Sequence, residues 1–203
     1  IDDAPFDFQR RRASVLVTDG STRQMITKGS PEALLSLCSN VEAGGAVVPM
    51  TAELQSRLAA LVDAKGRDGL RLLGVARRDL PASQVEIGPA DETELILVGF
   101  ASFADPPKAS ASAAVARLAA AGVRVKVISG DAQPVVEHVV AALHLPARGV
   151  LTGDEIAALS DVALARQVNR VDLFIRVSPQ QKSRIVMALR HRGHTVGFMG
   201  DGI

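Results

Sequence analysis

Carboxylates follow apolar segments at three places in the second half of the chain. Asp105, Ser129-Gly130-Asp131 and Gly200-Asp201-Gly202 each come after a run of residues that favours a strand. Glycine lets a ligand approach the backbone closely, and carboxylate oxygens are the ligands that Mg²⁺ prefers. A single aspartate after a strand is more often a turn or capping residue, but three together indicate a magnesium-assisted phosphate site.

Lys182 adds a cation to this group of residues. It lies near the start of a predicted helix, on the strand–helix unit between two of the three turns. A lysine at the same edge of a sheet would neutralise charge during phosphoryl transfer. Considered alone, Lys182 is better explained as a solvated charge on a helix.

The first half of the chain carries residues suited to a nucleotide. Lys28-Gly29 stands just before a helix that opens at Ser30-Pro31-Glu32, where free amides and a lysine suit a phosphate. The spacing is not that of a Walker A loop. Phe6, Phe8 and the run Arg10-Arg11-Arg12 offer aromatic faces and guanidinium groups for adenine and phosphates. A basic strand edge that discourages aggregation explains the arginines equally well.

Composition excludes several functions. Of the 203 residues, 47% are apolar and 22% charged, with a net charge of +1, which is typical of a globular protein and gives no reason to expect a nucleic-acid partner. The sequence has no apolar run of the ~20 residues that cross a bilayer. Cys38 lies in an apolar run and is predicted to be a core residue. The start at Ile1 without a methionine predicts a piece of a longer protein.

The pattern of elements changes near residue 90, within a predicted linker or loop over residues 79–94. Residues 1–96 predict a small α+β unit with a hairpin over 13–18 and 24–28 and helices opening at Ser30 and Thr51. Residues 97–203 alternate strands with helices, which is typical of an α/β doubly wound parallel sheet that binds ligands at its carboxyl edge. Strands are predicted at 95–103, 123–128, 172–177 and 195–199, and helices at 110–121, 134–143, 161–168 and 179–192.

Eight segments, taken in order, resemble the P-type ATPase superfamily. They are PFDF, ASV, KGSPE, GLR, DPPK, VISGD, RVSPQQK and GDGI. The stretches PFDFQRRRASVLV, ADPPKASASAAVARL and SPQQKSRIVMALRHRGHTVGFMGDGI most resemble the bacterial magnesium-importing branch. The resemblance covers nearly the whole chain.

For residues 1–96, the resemblance implies a nucleotide-binding (N) domain built on an antiparallel sheet. Phe6 resembles the ring that stacks on adenine, and Lys28, followed by Gly29, the lysine at the floor of the ATP pocket. Arg71 resembles the arginine that reaches the phosphates. Arg11 stands where many members have a nucleotide-contacting lysine, which keeps the charge but changes its geometry.

For residues 97–203, the resemblance implies a phosphorylation (P) domain with a HAD-like (haloacid-dehalogenase-type) fold. Asp105-Pro106-Pro107 would be a hinge, and Ser129-Gly130 would hold the transferred phosphoryl group. Asp131 would order the site, Lys182 would pair with the phosphoryl group, and Asp201 would be a ligand of Mg²⁺. The family's phosphorylated aspartate, in an Asp-Lys-Thr-Gly-Thr stretch, is absent from this sequence, so the chain itself is not expected to form an aspartyl-phosphate.

The parent protein implied by the resemblance is an ion pump on the cytoplasmic side of the bacterial inner membrane. ATP and Mg²⁺ would be its cofactors, and membrane helices and an actuator domain its partners in cis. The transported cation would be Mg²⁺, with Ca²⁺ or H⁺ as alternatives. Two other readings stay open: a soluble HAD-type phosphatase with a cap domain, and a nucleotide-binding module without catalysis.

Overall fold

The chain folds into two compact units. The structure, a computed structural model, describes residues 2–20 and 22–200. Unit 1 comprises Ile1–Lys65 and Leu70–Ala104, and unit 2 comprises Gly66–Gly69 and Asp105–Ile203. No helix among the described residues is long and apolar enough to cross a membrane.

Unit 1 is built on a seven-stranded sheet with the order β1-β2-β3-β6-β7-β4-β5. Neighbouring strands are antiparallel, except that β4 and β7 run parallel. The predicted hairpin is confirmed, since β2 and β3 pair in register from Arg12–Gly29 to Asp19–Thr22. The strands are β1 (Asp3–Asp7), β2 (Arg12–Asp19), β3 (Thr22–Gly29), β4 (Cys38–Ala43), β5 (Ala46–Pro49), β6 (Leu70–Leu80) and β7 (Leu95–Ala104).

The core of unit 1 lies on one face of this sheet. Helix α1 (Pro31–Leu35) begins after Ser30, whose Oγ accepts a hydrogen bond from the Ala33 amide at 3.3 Å, which confirms the predicted start. Helix α2 (Ala52–Arg67) packs Leu54 and Leu58 against the core, and a 3₁₀ turn lies at Pro89–Asp91, between β6 and β7. The core includes Leu16, Met25, Leu34, Leu95, Leu97 and Cys38, where burial raises the pKa of the thiol to about 11.

Unit 2 contains a three-stranded parallel sheet with the order β8-β10-β9. Helices lie between its strands, with two of them between β9 and β10, and its core centres on the fully buried Phe174 and Ile185. The strands are β8 (Val127–Ile128), β9 (Val150–Thr152) and β10 (Leu173–Ile175), and the helices are α3 (Ala111–Ala120), α4 (Gln133–Ala142), α5 (Gly153–Ala158), α6 (Asp161–Gln167) and α7 (Pro179–His191).

Strand β7 departs from the prediction. The sequence places 95–103 at the start of the parallel unit, but β7 pairs antiparallel with β6 and parallel with β4. The two compact units divide after Ala104, and the domain boundary at 96/97 stays a prediction. An apolar strand sequence indicates burial on both faces, and it carries no information on which distant strands will be its neighbours.

The strand predicted at 195–199 is also absent, since the described residues 192–200 contain no strand. Val196 packs against the core of unit 2, while Met199 is 95% exposed. A strand is stable only when it pairs, and no strand in the described part of unit 2 pairs with this segment.

Candidate functional site

The turn between β1 and β2 is held by Asp7. Its Oδ1 accepts hydrogen bonds from the amides of Gln9 at 2.9 Å and Arg10 at 2.8 Å. The Arg11 amide donates to the Asp7 carbonyl at 2.7 Å. Arg11 itself has a φ of 53°, a left-handed conformation that is uncommon for a residue other than glycine. The side chain and backbone of one aspartate thus shape the whole turn.

Two aromatic rings lie at this turn. Phe6 and Phe8 pack edge to face, with ring centroids 5.2 Å apart and an interplanar angle of 83°. They remain 56% and 60% exposed. Covering an aromatic ring lowers the free energy because it removes apolar surface from water. An exposed pair of rings therefore suits a flat apolar ligand such as a nucleobase.

Glu92 lies beneath the turn, and the sequence reasoning missed it. Its side chain is 0% exposed and accepts hydrogen bonds from Arg10 Nη1 at 2.7 and 2.8 Å, from Arg12 Nε at 2.6 Å, and from Ser14 Oγ at 2.7 Å. Ser14 also hydrogen-bonds Thr27 at 2.9 Å. Two of the three consecutive arginines therefore bind a buried carboxylate. Arg10 and Arg12 are thus engaged within unit 1, and contact of the arginine run with a phosphate stays a prediction.

The charge of Glu92 depends on these partners. Burial alone would raise its pKa, but the hydrogen bonds from Arg10, Ser14 and Arg12 outweigh burial and hold the pKa below its usual value. A depressed carboxyl pKa stabilises the fold above the unfolded-state value of about 4.3, and this stabilisation is lost as the pH falls through the lower folded-state value.

We expect the wild-type chain to be more stable than Glu92→Gln by an amount that decreases as the pH falls. The wild type should be more stable at pH 7, and the difference should shrink as the pH falls below about 4.3. Thermal unfolding of both proteins between pH 7 and pH 3 measures it. A difference that grows as the solution becomes more acidic would contradict the ionised state assigned to Glu92.

The face of the sheet opposite the core carries the predicted nucleotide-binding cations. Lys28 is exposed on β3 and pairs with Ala13 of β2 and Val75 of β6. Arg71, on the same strand as Val75 and four residues away, points to the same face because side chains alternate along a strand. Arg71 pairs with the exposed Phe103 of β7. The register thus places Lys28 and Arg71 on one open face, together with apolar and aromatic side chains.

Close packing explains why position 29 is glycine. A Cβ at this position would lie 2.6 Å from Arg12 Cβ and 2.7 Å from the Arg11 carbonyl oxygen. The amides predicted to be free at this corner are partly used, since Ser30 donates to the Arg11 carbonyl at 3.0 Å and Ala33 to Ser30 Oγ. Glycine is therefore needed for the close approach of β2 and β3, and its contact with a nucleotide stays a prediction.

In unit 2, the turns after β8 and β10 are bonded to each other. Ser129 Oγ donates to Asp131 Oδ2 at 2.8 Å and accepts from the Asp131 amide at 3.0 Å. The amides of Arg176 and Val177 donate to the carbonyls of Asp131 and Ser129, both at 3.1 Å. The carboxyl ends of two neighbouring parallel strands therefore hold the Ser129–Asp131 turn in a fixed shape.

Helix α7 starts at the same edge and carries Lys182, which is half-buried. Ser178 caps the helix, and Gln181 completes the cap by accepting from the Ser178 amide at 2.8 Å. Gln181 Nε2 also donates to the Gly153 carbonyl at 2.6 Å, which ties the start of α7 to the start of α5. The first turn of α7, with Lys182, thus follows directly on the strand end that holds the Ser129–Asp131 turn.

Gly130 has no packing reason to be glycine. A Cβ there would lie 3.7 Å from the Val177 carbonyl oxygen, which is an ordinary contact. This differs from Gly29, and a ligand-binding reason for glycine at position 130 stays a prediction.

Asp105 follows a strand of unit 1 and not a strand of unit 2. Asp105 is the first residue after β7 and begins the mostly exposed segment Asp105-Pro106-Pro107, which belongs to unit 2. Asp201 lies outside the described residues. Among residues 2–20 and 22–200, no group of three or more His, Cys, Asp or Glu side chains could hold a metal ion.

A second buried carboxylate, Asp172, lies at the amino end of β10. It accepts from Lys126 Nζ at 3.0 Å and Arg124 Nη2 at 2.6 Å, and from the Arg148 amide at 3.0 Å. Burial opposes its charge, but the bonds from Lys126 and Arg148 lower its pKa, whereas burial lowers the pKa of Lys126. This cluster joins the starts of three strands, at the edge opposite Ser129, and is structural.

Removing the Asp172 carboxylate should destabilise unit 2. We expect Asp172→Ala to lower the free energy of unfolding by about 3 kcal/mol, because Lys126 would remain mostly buried without its partner. Chemical denaturation followed by circular dichroism measures the change. The control is Glu137→Ala, an exposed carboxylate of the same unit. Equal effects of the two substitutions would show that the cluster is not an anchor.

Comparison with known proteins identifies the family. The family described as P-type ATPase, cytoplasmic domain N, matches residues 1–110. The chain belongs to the P-type ATPases, and the resemblance seen in its motifs is confirmed. The match covers all seven strands of unit 1 and the Asp105-Pro106-Pro107 segment.

Relatives extend the likeness to the whole chain. It is 42% identical over 204 residues to a magnesium-transporting P-type ATPase of Salmonella typhimurium and 41% identical to one of Escherichia coli K12, with 100% of the chain aligned. It is 31% identical, over 98% of the chain, to a calcium-transporting ATPase of Listeria monocytogenes. The chain spans 23% of the length of each of these relatives.

Proposed function

We propose that unit 1 binds ATP on the open face of its sheet and at the β1–β2 turn. The observation that carries this proposal is that Lys28 and Arg71 share an exposed face on neighbouring strands, while Phe6 and Phe8 form an exposed aromatic pair in the same unit. The rings would take the adenine and the cations the phosphates. Arg11, in the turn that follows Phe6, would add a guanidinium group.

Unit 2 is proposed to be part of the HAD-like phosphorylation domain. The support is a parallel sheet whose carboxyl edge brings Ser129, Gly130 and Asp131 next to the helix that carries Lys182. Ser129 Oγ and the amide of Gly130 would hold the transferred phosphoryl group, and Asp131 would orient Ser129. Lys182 would neutralise charge on the phosphoryl oxygens, and Asp201 is the proposed ligand of Mg²⁺.

In the longer protein, the proposed reaction is phosphoryl transfer to an aspartate. The bond between the γ-phosphorus and the oxygen that bridges to ADP breaks, and a bond to the aspartate carboxylate oxygen forms. Water later hydrolyses the acyl phosphate. Asp105-Pro106-Pro107 is the proposed hinge that lets nucleotide and phosphorylation domains move during this cycle.

The transported ion is proposed to be Mg²⁺, because the relatives at 41% and 42% identity are named as magnesium transporters. The protein would then act in the bacterial inner membrane, with this chain on the cytoplasmic side and membrane helices and an actuator domain as partners in cis. The match to domain N of P-type ATPases favours this pump over a soluble phosphatase with a cap domain.

Titration of this chain with ATP, monitored by NMR, tests the nucleotide site. We expect Phe6→Ala to weaken ATP binding about fivefold or more, through loss of stacking, and Lys28→Ala about tenfold, through loss of a charged phosphate contact. Arg57→Ala is the matched control, since Arg57 is an exposed cation of α2, which packs on the covered face of the sheet. ATP affinity that is unchanged by both site substitutions would refute the proposal.

A further inference from the structure

The connection between β6 and β7 contributes buried side chains to unit 1. The sequence predicts a linker or loop over residues 79–94, yet Ile87 belongs to the core of unit 1 and Glu92 is among its most buried side chains. A buried carboxylate is costly unless it is paired and hydrogen-bonded. Glu92 is fully paired, and all its side-chain partners belong to β2 or to the turn before it.

One of these partners reaches the aromatic pair. Arg10 uses Nη1 to bind both oxygens of Glu92, at 2.7 and 2.8 Å, and Nη2 to bind the Pro5 carbonyl at 2.6 Å. Pro5 directly precedes Phe6. The guanidinium group is planar and rigid, so that fixing one nitrogen fixes the direction of the other. A continuous path of hydrogen bonds therefore runs from the Glu92 carboxylate to the backbone that carries Phe6.

The second arginine closes the turn from its other side. Arg12 Nε donates to Glu92 Oε2 at 2.6 Å, and Arg12 Nη1 donates to the Arg10 carbonyl at 3.1 Å. One carboxylate thus holds the residues on both sides of Arg11, whose φ of 53° is unfavourable for a side chain-bearing residue. The phenylalanine rings are more than half exposed. Their positions therefore depend on the backbone of the turn.

We propose that Glu92 is a positioning residue of the nucleotide site, which acts through Arg10 to hold Phe6 where it meets the nucleobase. The inference rests on the proposed binding of ATP by unit 1. It gives Glu92 an indirect role in binding, through a turn that lies about eighty positions away in the sequence. A purely structural Glu92 would stabilise unit 1 without any particular relation to Phe6.

A double-mutant cycle on ATP affinity separates the two roles. Four proteins are titrated with ATP: the wild-type chain, Glu92→Gln, Phe6→Ala and the double variant. Positioning predicts that Glu92→Gln weakens ATP binding by about threefold to tenfold when Phe6 is present and less than about twofold in the Phe6→Ala background. The control is Asp91→Asn, which removes a charge from the neighbouring residue that caps the 3₁₀ turn through Gly88 and should leave the affinity unchanged.

Equal weakening by Glu92→Gln in both backgrounds, or none when Phe6 is present, would overturn the inference. Should Glu92→Gln fail to fold, Arg10→Lys serves in the same cycle, because lysine keeps the charge but cannot bind the carboxylate and the Pro5 carbonyl together. Failure of the proposed function has a different signature. In that case Phe6→Ala and Lys28→Ala leave ATP affinity unchanged, whatever Glu92 does.

Discussion

Replacing Gly153 with alanine is expected to lower the free energy of unfolding of unit 2 by about 3 kcal/mol or more. An added Cβ would overlap the carbonyl oxygen of Arg176 and lie 2.9 Å from Gln181 Oε1. The first neighbour is backbone and cannot turn away. It also belongs to the strand end that hydrogen-bonds Asp131, and relief of the clash would therefore shift the turn that carries the candidate phosphoryl site.

Chemical denaturation and hydrogen exchange of the α5 and α7 amides would measure this effect. Gly197→Ala is the matched control, because a Cβ at Gly197 meets nothing within 4 Å. We expect that variant to stay within about 0.5 kcal/mol of the wild type. If Gly153→Ala were as stable as Gly197→Ala, the close approach of α5 to the end of β10 would be wrong.

Local signals account for the elements that the sequence predicted well. The β2–β3 hairpin turns at Gly20, which has a φ of 58°, and this is the conformation that a glycine in a tight turn provides. Helix α1 begins after a serine cap with proline in its first turn, and α7 begins in the same way after Ser178. Each of these signals lies within a few residues of the element that it predicts, and the pairing partners of distant strands play no part.

Strand pairing over long distances could not be predicted in the same way. The assignment of β7 was wrong because its apolar sequence suits either unit, and the choice is made by contacts with β6 and β4. Helix α5 was also missed. It is six residues long, and its capping box, Thr152 with Glu155, is a short polar pattern in a segment without helical periodicity.

The residues of the candidate site also differ in whether a local sequence pattern or long-range strand pairing reveals them. Lys28 and Ser129 could be picked out because each stands beside a glycine at a strand end, which is a local pattern. That Lys28 and Arg71 share a face follows from the register of β3 and β6, which only the structure provides. Glu92 had no local signal, because an acidic residue in a proline- and glycine-containing connection usually faces solvent. Its partners lie 78 to 82 positions away in the sequence.

Lys182 is expected to have the largest effect on chemistry in a protein that contains this chain together with the family's phosphorylated aspartate. We expect Lys182→Ala to slow phosphoenzyme formation from ATP by about 100-fold or more, because it removes a fixed positive charge beside the transferring group. Half-burial of Lys182 at the first turn of α7 would make its charge more effective there than on an open surface.

Acid-stable incorporation of label from γ-labelled ATP, released by hydroxylamine, measures this reaction. Arg190→Ala is the control, since Arg190 is an exposed cation in the last turn of the same helix. It should form phosphoenzyme at the wild-type rate. A Lys182→Ala protein that keeps its ATP affinity but loses phosphoenzyme formation would separate the role of unit 2 from that of unit 1. Equal rates for the two variants would place the charge-neutralising group elsewhere.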